Sequence, residues 1–434
     1  MTSATARALG VLACALNAAC ASNGAMRSAP PELNPGHKSY VLPAIEIVAM
    51  DAALNLAGRL VLEPANFEVT PASIRRNLRS PWVFDDDPFE INQFLHPYQG
   101  AMYHGIARSN GLGYWPSLAY TFTASALWEI AGETTPPSRN DQIASGVAGS
   151  FLGEPLFRIS RLLLERADHG PGFWRTLGSV LASPPTGLNH LMVGDPAGSL
   201  ETDAVPFSDI RVQVGAIARR SHLALTMDHG YPGNSAYRHE RPFDYFRIES
   251  RLSADGLEQL TTRGLLAGPD YEAGRLSGLW GLYGTYDDFG PQDFQFSSTG
   301  FSVGTTLQAR MFEPLVVQSS GLVGAGYAAA QSGEQTGGRD YHYGVAPQAL
   351  ANLRLIAGRR AALDVTAREY SVGAGRFGGD ERDRIFVRDA SLAVRVYRRH
   401  GVGVTYQLAG HGPDERSTVG VYYTFRGSGG FGAR

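Results

Sequence analysis

The side chains most able to do chemistry are concentrated between residues 96 and 158, where two histidines are followed by carboxylates and arginines. A histidine within reach of a carboxylate is the usual pair for general acid–base catalysis. The candidate catalytic set, if the chain is an enzyme, is therefore His96, His104 and Glu129. The wider polar cluster comprises His96, Tyr98, Tyr103, His104, Arg108, Glu129, Glu133, Asp141, Glu154 and Arg158.

The polar cluster also has a structural interpretation, which we favour. Residues four apart lie on one face of a helix, so His104 can sit beside Arg108 and Glu154 can pair with Arg158. Buried polar groups are normally hydrogen-bonded to one another and thereby fix the packing of a domain. In this interpretation the chain has no catalytic residue.

The spacing of the histidines and carboxylates does not resemble a familiar metal site. Helical metal sites typically use Glu-x-x-His or His-Glu-x-x-His, and neither pattern occurs in the sequence. Glu165 and His169 are four apart, but they form a single pair. We therefore predict neither a metal nor a cofactor.

Helices are predicted to position the polar cluster, over about 97–109, 117–131, 138–166 and 173–182. Ser117 and Ser138 are the expected N-caps of the second and third helices, and a kink or break is expected near Pro155. A shorter helix is expected over 43–62. Small residues recur every four positions and predict the close approach of another backbone; they are Ser145, Gly149 and Gly153.

The second half of the chain, residues 207–425, alternates apolar residues with Gly, Thr, Ser, Gln and charged residues. A β-strand points alternate side chains to opposite faces, as in the row Val419, Val421, Tyr423 and Phe425. About twelve such segments, apolar on one face, predict an antiparallel transmembrane β-barrel. A soluble β-sandwich or propeller would also alternate, but the outer polar face of a sandwich is usually rich in Lys and Glu.

The charges in these segments favour a barrel with a narrow, polar lumen. A charge inside such a lumen needs a partner of opposite sign, because an isolated buried charge is costly. The predicted lumen network consists of Arg247, Glu249, Arg251, Asp364, Arg368 and Arg395.

Composition supports an envelope protein and excludes some alternatives. Charged residues make up 18% of the chain and glycine contributes 52 of 434 residues, against typical values of ~25% and ~7%. A net charge of −3 gives no reason to expect a nucleic-acid partner. The expected partners are outer-membrane lipid and the barrel-assembly machinery. The oligomeric state is not indicated.

The N-terminus has the pattern of an export signal over residues 1–21, with an apolar run after Arg7. Cleavage after the small residues near Ala21 and lipidation of Cys20 both remain open. Cys14 and Cys20 are the only cysteines, so the mature chain is expected to lack disulfides. No later apolar run is expected to reach the ~18 residues of a membrane-spanning helix.

The central region, about residues 80–195, resembles a family of uncharacterised bacterial envelope proteins defined by a domain of unknown function. The similarity is carried by His-Pro-Tyr at 96–98, Trp-Glu at 128–129, Pro-Ser-x-Asn-Asp at 137–141 and Gly-Glu at 153–154. The resemblance implies a helical unit followed by an outer-membrane strand region, and it supplies no catalytic roles. Phe425 is followed by Arg426 to Arg434, whereas typical outer-membrane barrels end on an aromatic residue.

The expected organisation is an export signal at 1–21, a linker with a short helix at 22–80 and a helical domain at 81–200. The barrel follows at 207–425, with a tail at 426–434. The expected location is the outer membrane, with the helical domain in the periplasm or the barrel lumen. We expect a narrow conduit for small solutes or lipids, or a structural envelope component. The alternatives are a lipid-active outer-membrane enzyme and a lipoprotein-anchored periplasmic domain.

Overall fold

A computed structural model describes residues 38–61, 64–85, 87–165, 171–193, 208–218, 220–233, 237–290, 294–332, 341–373, 382–412 and 414–427. The predicted export signal with Cys14 and Cys20, and most of the predicted tail, lie outside these residues. The chain divides into two compact units, one built mainly from residues 29–200 and the other mainly from residues 201–434. Each unit is described by itself.

The first unit is helical. Its α-helices are α1 (Val41–Val61), α2 (Pro64–Phe67), α3 (Pro71–Asn77), α4 (His96–Ser109), α5 (Tyr114–Ala131), α6 (Arg139–Ile143), α7 (Gly149–Glu165), α8 (Phe173–Ala182) and α9 (Pro184–Val193). Two π-helical turns, Ile91–Leu95 and Ala144–Ala148, run directly into α4 and α7. All five predicted helical segments are present, with differences at their ends.

One detail of the helix prediction is wrong. Helix α5 begins at Tyr114, so Ser117 lies inside it and its hydroxyl donates to the Gly113 carbonyl instead of capping the helix. Of the kink or break expected near Pro155, the break is absent, because Pro155 lies inside α7 without ending it. The cap at Ser138 is confirmed, since its hydroxyl accepts from the Asp141 backbone N–H.

The predicted close approach at the small residues is confirmed. A Cβ atom added to Gly149 would lie 2.5 Å from the Gly100 Cα, and one added to Gly153 would lie 3.0 Å from the Ala101 Cα. Helices α4 and α7 therefore touch backbone to backbone along this row. That contact brings the polar side chains of the two helices within hydrogen-bonding distance.

Helix α1 contradicts the expectation that no apolar segment after the export signal is long enough to span a membrane. By length and composition alone, Val41–Leu60 is long and apolar enough to cross a membrane, with a mean hydropathy of 1.5. Ile47 is nevertheless buried in a cluster with Tyr103, Ile106 and Ala124. In this structure α1 thus packs on the helical unit through that face.

The second unit is a β-sheet of thirteen strands. They are β1 (Ser208–Ile217), β2 (Arg220–His229), β3 (Phe246–Ser253), β4 (Gly256–Ala267), β5 (Asp270–Ala273), β6 (Leu276–Phe289), β7 (Phe294–Phe312), β8 (Leu315–Ser332), β9 (His342–Ala357), β10 (Ala361–Gly373), β11 (Arg382–Tyr397), β12 (His400–His411) and β13 (Asp414–Arg426).

The sheet closes on itself, and this closure confirms the predicted barrel. Strands β1 and β13 pair, neighbouring strands pair antiparallel around the ring, and β4 pairs with β6 to close it. The four-residue strand β5 pairs only with β6 and lies outside the ring. The barrel therefore has twelve strands, the number expected from the sequence.

The two faces of the barrel wall differ as the alternation predicts. Val303 is 47% exposed between Ser302 and Gly304, while Ser302 is 3% exposed. The same contrast separates exposed Leu353 from its buried neighbours Asn352 and Arg354. Large apolar residues thus cover the outside, and polar and charged residues fill the inside.

Glycines on the two neighbouring strands make room for the large, inward-pointing side chain of Tyr422. It lies directly opposite Gly403 on one neighbouring strand and Gly215 on the other. A Cβ atom on Gly403 would lie 2.5 Å from the Tyr422 ring. The ring therefore covers the glycine backbone, an arrangement that supports curved sheets.

The β4–β6 seam predicts one specific cross-link. In a chain carrying Cys14→Ser and Cys20→Ser, the pair Leu260→Cys and Asp288→Cys should form a disulfide, because these residues are direct partners on the outer face. Leu260→Cys with Tyr286→Cys is the control, since diagonal partners lie ~7–8 Å apart. Non-reducing gels of the folded protein measure the product. Equal cross-linking in both pairs, or in neither, would contradict the register.

Candidate functional site

The predicted polar cluster separates into two main buried groups inside the helical unit. One surrounds Glu154 on α7. The other lies where the start of α4, the C-terminal part of α5 and α6 meet, and it contains His96, Glu129 and Asp141. Both groups are inaccessible to bulk solvent, but they balance their charges in different ways.

The Glu154 group is a carboxylate enclosed by cations. Arg108 Nε donates to Glu154 Oε2 at 2.8 Å, and Arg158 Nε donates to Oε1 at 2.8 Å. His104 Nε2 lies 2.9 Å from Oε2. Burial would raise the pKa of Glu154, but the two guanidinium groups and His104 outweigh it and hold that pKa well below its usual range.

His104 acts here as a neutral hydrogen-bond donor. Burial lowers the pKa of its imidazole, and the neighbouring Glu154 only partly opposes that effect. The side chain has no exposed surface. The Glu154 carboxylate is therefore fully paired inside the helical unit, whereas His104 Nδ1 is buried without a hydrogen-bond partner among the described residues.

The second group joins three elements through the cap at Ser138. The Ser138 backbone N–H donates to Glu129 Oε2 at 2.8 Å, and its hydroxyl accepts from the Asp141 N–H at 3.2 Å. His96 Nδ1 lies 3.1 Å from the Ser145 hydroxyl, and its Nε2 lies 3.7 Å from Asp141 Oδ2. His96, Glu129 and Asp141 each have one nitrogen or carboxylate oxygen within 4.8 Å of the corresponding atoms of the other two.

Two residues that sequence reasoning did not include complete this group. Asn140 Nδ2 donates to Asp85 Oδ1 at 2.9 Å and to Asp141 Oδ1 at 3.1 Å. The Asp85 backbone N–H donates to Asn140 Oδ1. Asp85 lies more than 50 residues before Asn140, so the sequence gives no local signal for their contact.

The carboxyl groups in this second group have displaced pKa values. Burial raises the pKa of Glu129 and Asp141 well above their usual values, and nearby carboxylates raise them further. Burial would also raise the pKa of Asp85, but hydrogen bonds from Asp141, Asn140 and Asn92 outweigh it and lower that pKa. Burial lowers the pKa of the His96 imidazole, and Glu133 and Asp85 oppose this shift.

The remaining members of the predicted cluster have other partners. Tyr103 donates its hydroxyl hydrogen to Asp51 on α1. Tyr98 stacks on Phe94 with ring centroids 6.4 Å apart. Glu133 accepts a hydrogen bond from Trp128 Nε1 at 2.7 Å. These residues do not form one catalytic surface with His96 and His104.

The barrel contains a larger charged group, whose ion pairs lie inside the lumen. Arg211 on β1 pairs with Asp364 on β10 at 3.0 Å, and Arg354 on β9 pairs with Asp209 on β1 at 2.8 Å. Neither pair joins neighbouring strands. These ion pairs therefore cross the lumen instead of running along the wall.

The pair of Arg368 and Glu249 crosses the full width of the barrel. Arg368 lies on β10 and Glu249 on β3, six strands apart in a ring of twelve, which are opposite walls. Arg251 on β3 reaches Asp389 on β11 at 3.2 Å. One cavity among these side chains has a volume of about 70 Å³ and is lined by Arg247, Glu249 and Arg368.

The structure brings together five of the six predicted lumen charges and corrects the sixth. Arg395 is exposed, because it lies near the end of β11, where the register with β12 shifts. Sequence reasoning missed several lumen charges, and some of them have partners on strands distant in sequence, as Arg354 has in Asp209. The missed residues are Asp209, Arg211, Asp228, Arg263, Arg354, Asp389 and Arg426.

Apolar clusters lie on either side of the charges. At the β6–β7 connection, Phe289, Phe294 and Phe296 pack with Tyr370, and the rings of Phe296 and Tyr370 lie 4.4 Å apart. Toward the opposite end, Tyr231 and Tyr245 of the β2–β3 connection pack with Leu265, Leu279, Tyr283 and Leu322. The Tyr231 hydroxyl donates to the Leu307 carbonyl of β7 at 3.1 Å.

The Glu154 group predicts a large loss of stability on Glu154→Gln. Removing the charge leaves Arg108 and Arg158 without their counter-charge, which should cost on the order of 3–5 kcal/mol. Tryptophan fluorescence of the full chain during denaturant unfolding measures this loss, because four of the five tryptophans precede residue 200. Glu68→Gln, at an exposed position, should change stability by less than ~0.5 kcal/mol.

The same variant should alter the acid response of the helical unit. Because the folded-state pKa of Glu154 is lowered, its stabilising contribution is present above the unfolded value and is lost as pH falls through the folded value. The stability gap between Glu154→Gln and the unaltered chain should therefore narrow in acid. A gap that is constant or widens in acid would contradict this account.

Comparison with known proteins is consistent with both units. No curated protein matches the chain. A porin described as NanC is 9% identical with a TM-score of 0.29, covering 50% of this chain and 99% of its own. The translocator domain of autotransporter NalP from Neisseria meningitidis is 12% identical with a TM-score of 0.24, covering 52% and 90%. Omp33 of Acinetobacter baumannii is 11% identical with a TM-score of 0.21, covering 51% and 99%.

These structural similarities are too low to indicate what this chain binds or transports. Residues 81–185 match the family described as Domain of unknown function (DUF3943), which confirms the resemblance drawn from the sequence. The match covers about a quarter of the chain. The chain thus contains a segment similar to DUF3943 within its helical unit, and its second unit is a closed, twelve-stranded antiparallel barrel.

Proposed function

We propose that this chain is a structural component of the outer membrane, a closed barrel that anchors its helical unit and does not act as an open conduit. The observation that carries this proposal is the set of ion pairs across the lumen, above all Arg368 with Glu249 between opposite walls. A conduit needs a continuous polar path, and here the middle of that path is occupied by bonded side chains.

Opening this lumen would be energetically costly. Separating a buried ion pair leaves two uncompensated charges, and removing one partner typically costs ~3–5 kcal/mol. Several pairs would have to separate together, and the aromatic clusters on either side would also have to move. A narrow conduit for solutes or lipids is therefore less well supported than a structural role.

The membrane location is supported by the outer surface of the barrel. Exposed apolar side chains recur at alternate positions around the wall, as expected where strands face hydrocarbon. Examples are Trp280, Phe301, Val323, Val345, Val365, Val404 and Val421. We infer that outer-membrane lipid surrounds this surface and that the barrel-assembly machinery inserts it.

The lumen is filled by the barrel's own side chains, so we propose the periplasm for the helical unit. A lipid-active enzyme is not favoured, because its candidate residues are buried. The exposed fractions of His96, His104 and Glu129 are 6%, 0% and 5%. A lipid ester could not reach these side chains from the surface of the helical unit.

The closed lumen predicts electrical silence. The full chain, folded into planar bilayers, should give no conductance steps above the bare membrane, because ions have no continuous path. The slower gel migration of the heated sample verifies that the barrel is folded. Sustained, regular conductance from folded protein would overturn the closed-barrel proposal and restore the conduit.

A matched pair of variants tests whether the network forms the seal. Replacing Arg368 and Glu249 together by alanine removes both charges and enlarges the cavity, so transient current should increase. Val404→Ala, on the outer face, should remain as silent as the unaltered chain. Equal currents in the two variants would show that the ion pair does not contribute to closure.

On a lipid-facing surface, the stability lost on introducing a charge should depend on the depth of the substituted residue in the bilayer. Val404→Arg, in the middle of β12, should destabilise the barrel in bilayers by ~2–4 kcal/mol, whereas an arginine near the interface costs ~0–1 kcal/mol. Val396→Arg, near the end of β11, is the interfacial control, and both valines are exposed. Unfolding in lipid vesicles gives the two values. Equal, small effects would contradict membrane insertion of this wall.

A further inference from the structure

We propose that His96, Glu129 and Asp141 form a binding site for one divalent transition-metal ion in the helical unit. This site is independent of the barrel and goes beyond the structural role proposed above. Its residues come from three separate helices, and the sequence spacing, which predicted no metal, gives no indication that they meet.

The geometry needs only a small adjustment to hold an ion. The three ligand atoms lie within 4.8 Å of one another. Nitrogen and oxygen ligands bind Zn²⁺ at ~2.0–2.2 Å, whereas the centre of three atoms 4.8 Å apart lies about 2.8 Å from each of them. A movement of up to about 0.6–0.8 Å per ligand atom toward the centre therefore brings all three within bonding distance.

The charge balance of this site differs from that of the Glu154 group. Glu154 is paired with Arg108 and Arg158. Among the described residues, neither Glu129 nor Asp141 has an arginine or lysine nitrogen within 4.0 Å, although both side chains are buried. Buried carboxylates without a counter-charge are costly. A divalent cation at their centre would provide the missing positive charge.

The side chain of His96 points independently to a ligand. It is only 6% exposed, and its Nδ1 is engaged by the Ser145 hydroxyl at 3.1 Å. In the part of the chain that the structure describes, its Nε2 makes no hydrogen bond and is directed at Asp141 Oδ2, 3.7 Å away. A nitrogen positioned in this way can donate its lone pair to a metal.

The surrounding groups orient all three ligands. The Ser138 N–H holds Glu129 Oε2, and Asn140 Nδ2 holds Asp141 Oδ1. Asn140 is itself fixed by Asp85, which also accepts a hydrogen bond from Asn92. Hydrogen bonds of this kind orient the ligands in known metal sites and increase their affinity.

The donor set indicates the class of ion. One imidazole with two carboxylates suits Zn²⁺, Mn²⁺ or Fe²⁺, whereas Mg²⁺ and Ca²⁺ prefer oxygen ligands alone. Three protein ligands would leave a coordination position for water, as in many zinc sites. Zn²⁺ is the suitable probe because it has no redox chemistry.

The alternative is that the carboxyl groups are neutralised by protons. Asp141 would then share a proton with neighbouring Asp85, and the group would serve packing alone. This alternative predicts no stoichiometric metal and no response of stability to Zn²⁺, so binding measurements separate the two cases.

The test uses the full chain without a histidine tag, folded in detergent and dialysed against a chelator. Titration with ZnCl₂, followed by calorimetry and by metal analysis after gel filtration, should give one ion per chain with a Kd in the micromolar range or below. The combined variant Glu129→Gln and Asp141→Asn should weaken binding at least 100-fold. Asp51→Asn alters another buried carboxylate and should bind as the unaltered chain does.

Two further measurements keep the test decisive if the double variant does not fold. X-ray absorption of the Zn²⁺-loaded, unaltered chain should show one imidazole and otherwise oxygen ligands. Zn²⁺ at 100 times Kd should favour the folded helical unit about 100-fold, measured by tryptophan fluorescence. Absence of stoichiometric Zn²⁺, or equal binding by a folded double variant, would overturn the proposal without affecting the conductance test of the barrel.

Discussion

The constraint on which both units depend is that a charge removed from water needs a compensating charge or a set of hydrogen bonds. In the barrel this requirement is met across the lumen, where Arg211, Arg354 and Arg368 each reach an acid on a distant strand. Each of these pairs joins two strands that are not neighbours in the ring. The proposal of a closed barrel rests on these interactions.

The helical unit meets the same requirement in two ways. Around Glu154 the chain supplies the cations itself, and the carboxylate is fully paired. Around Glu129 and Asp141 the described residues supply only hydrogen-bond donors and one imidazole. The carboxylates of both groups are buried. This difference in charge balance is the reason for proposing an ion in the second group.

Backbone geometry makes both arrangements possible. Gly100, Gly149 and Gly153 allow α4 and α7 to touch, which places His104 and Arg108 against Glu154. In the barrel, Gly215 and Gly403 leave room for the inward ring of Tyr422. Side chains at these positions would separate the backbones and break the polar contacts that cross between elements. The glycines therefore stabilise these arrangements by allowing neighbouring backbones and rings to approach closely.

The sequence by itself determined the periodic features of this protein. Alternation in segments such as Val419 to Phe425 predicted the strands, their number of about twelve and the face that points outward. These features follow from the two-residue period of a strand, which is local. Helices and the Ser138 cap were likewise local. Only the tertiary structure decided which charges meet, because Arg368 and Glu249, or Asp85 and Asn140, are far apart in sequence. It excluded Arg395 from the lumen through its position at a strand end, and it brought His96 to Glu129 and Asp141 through the packing of three helices.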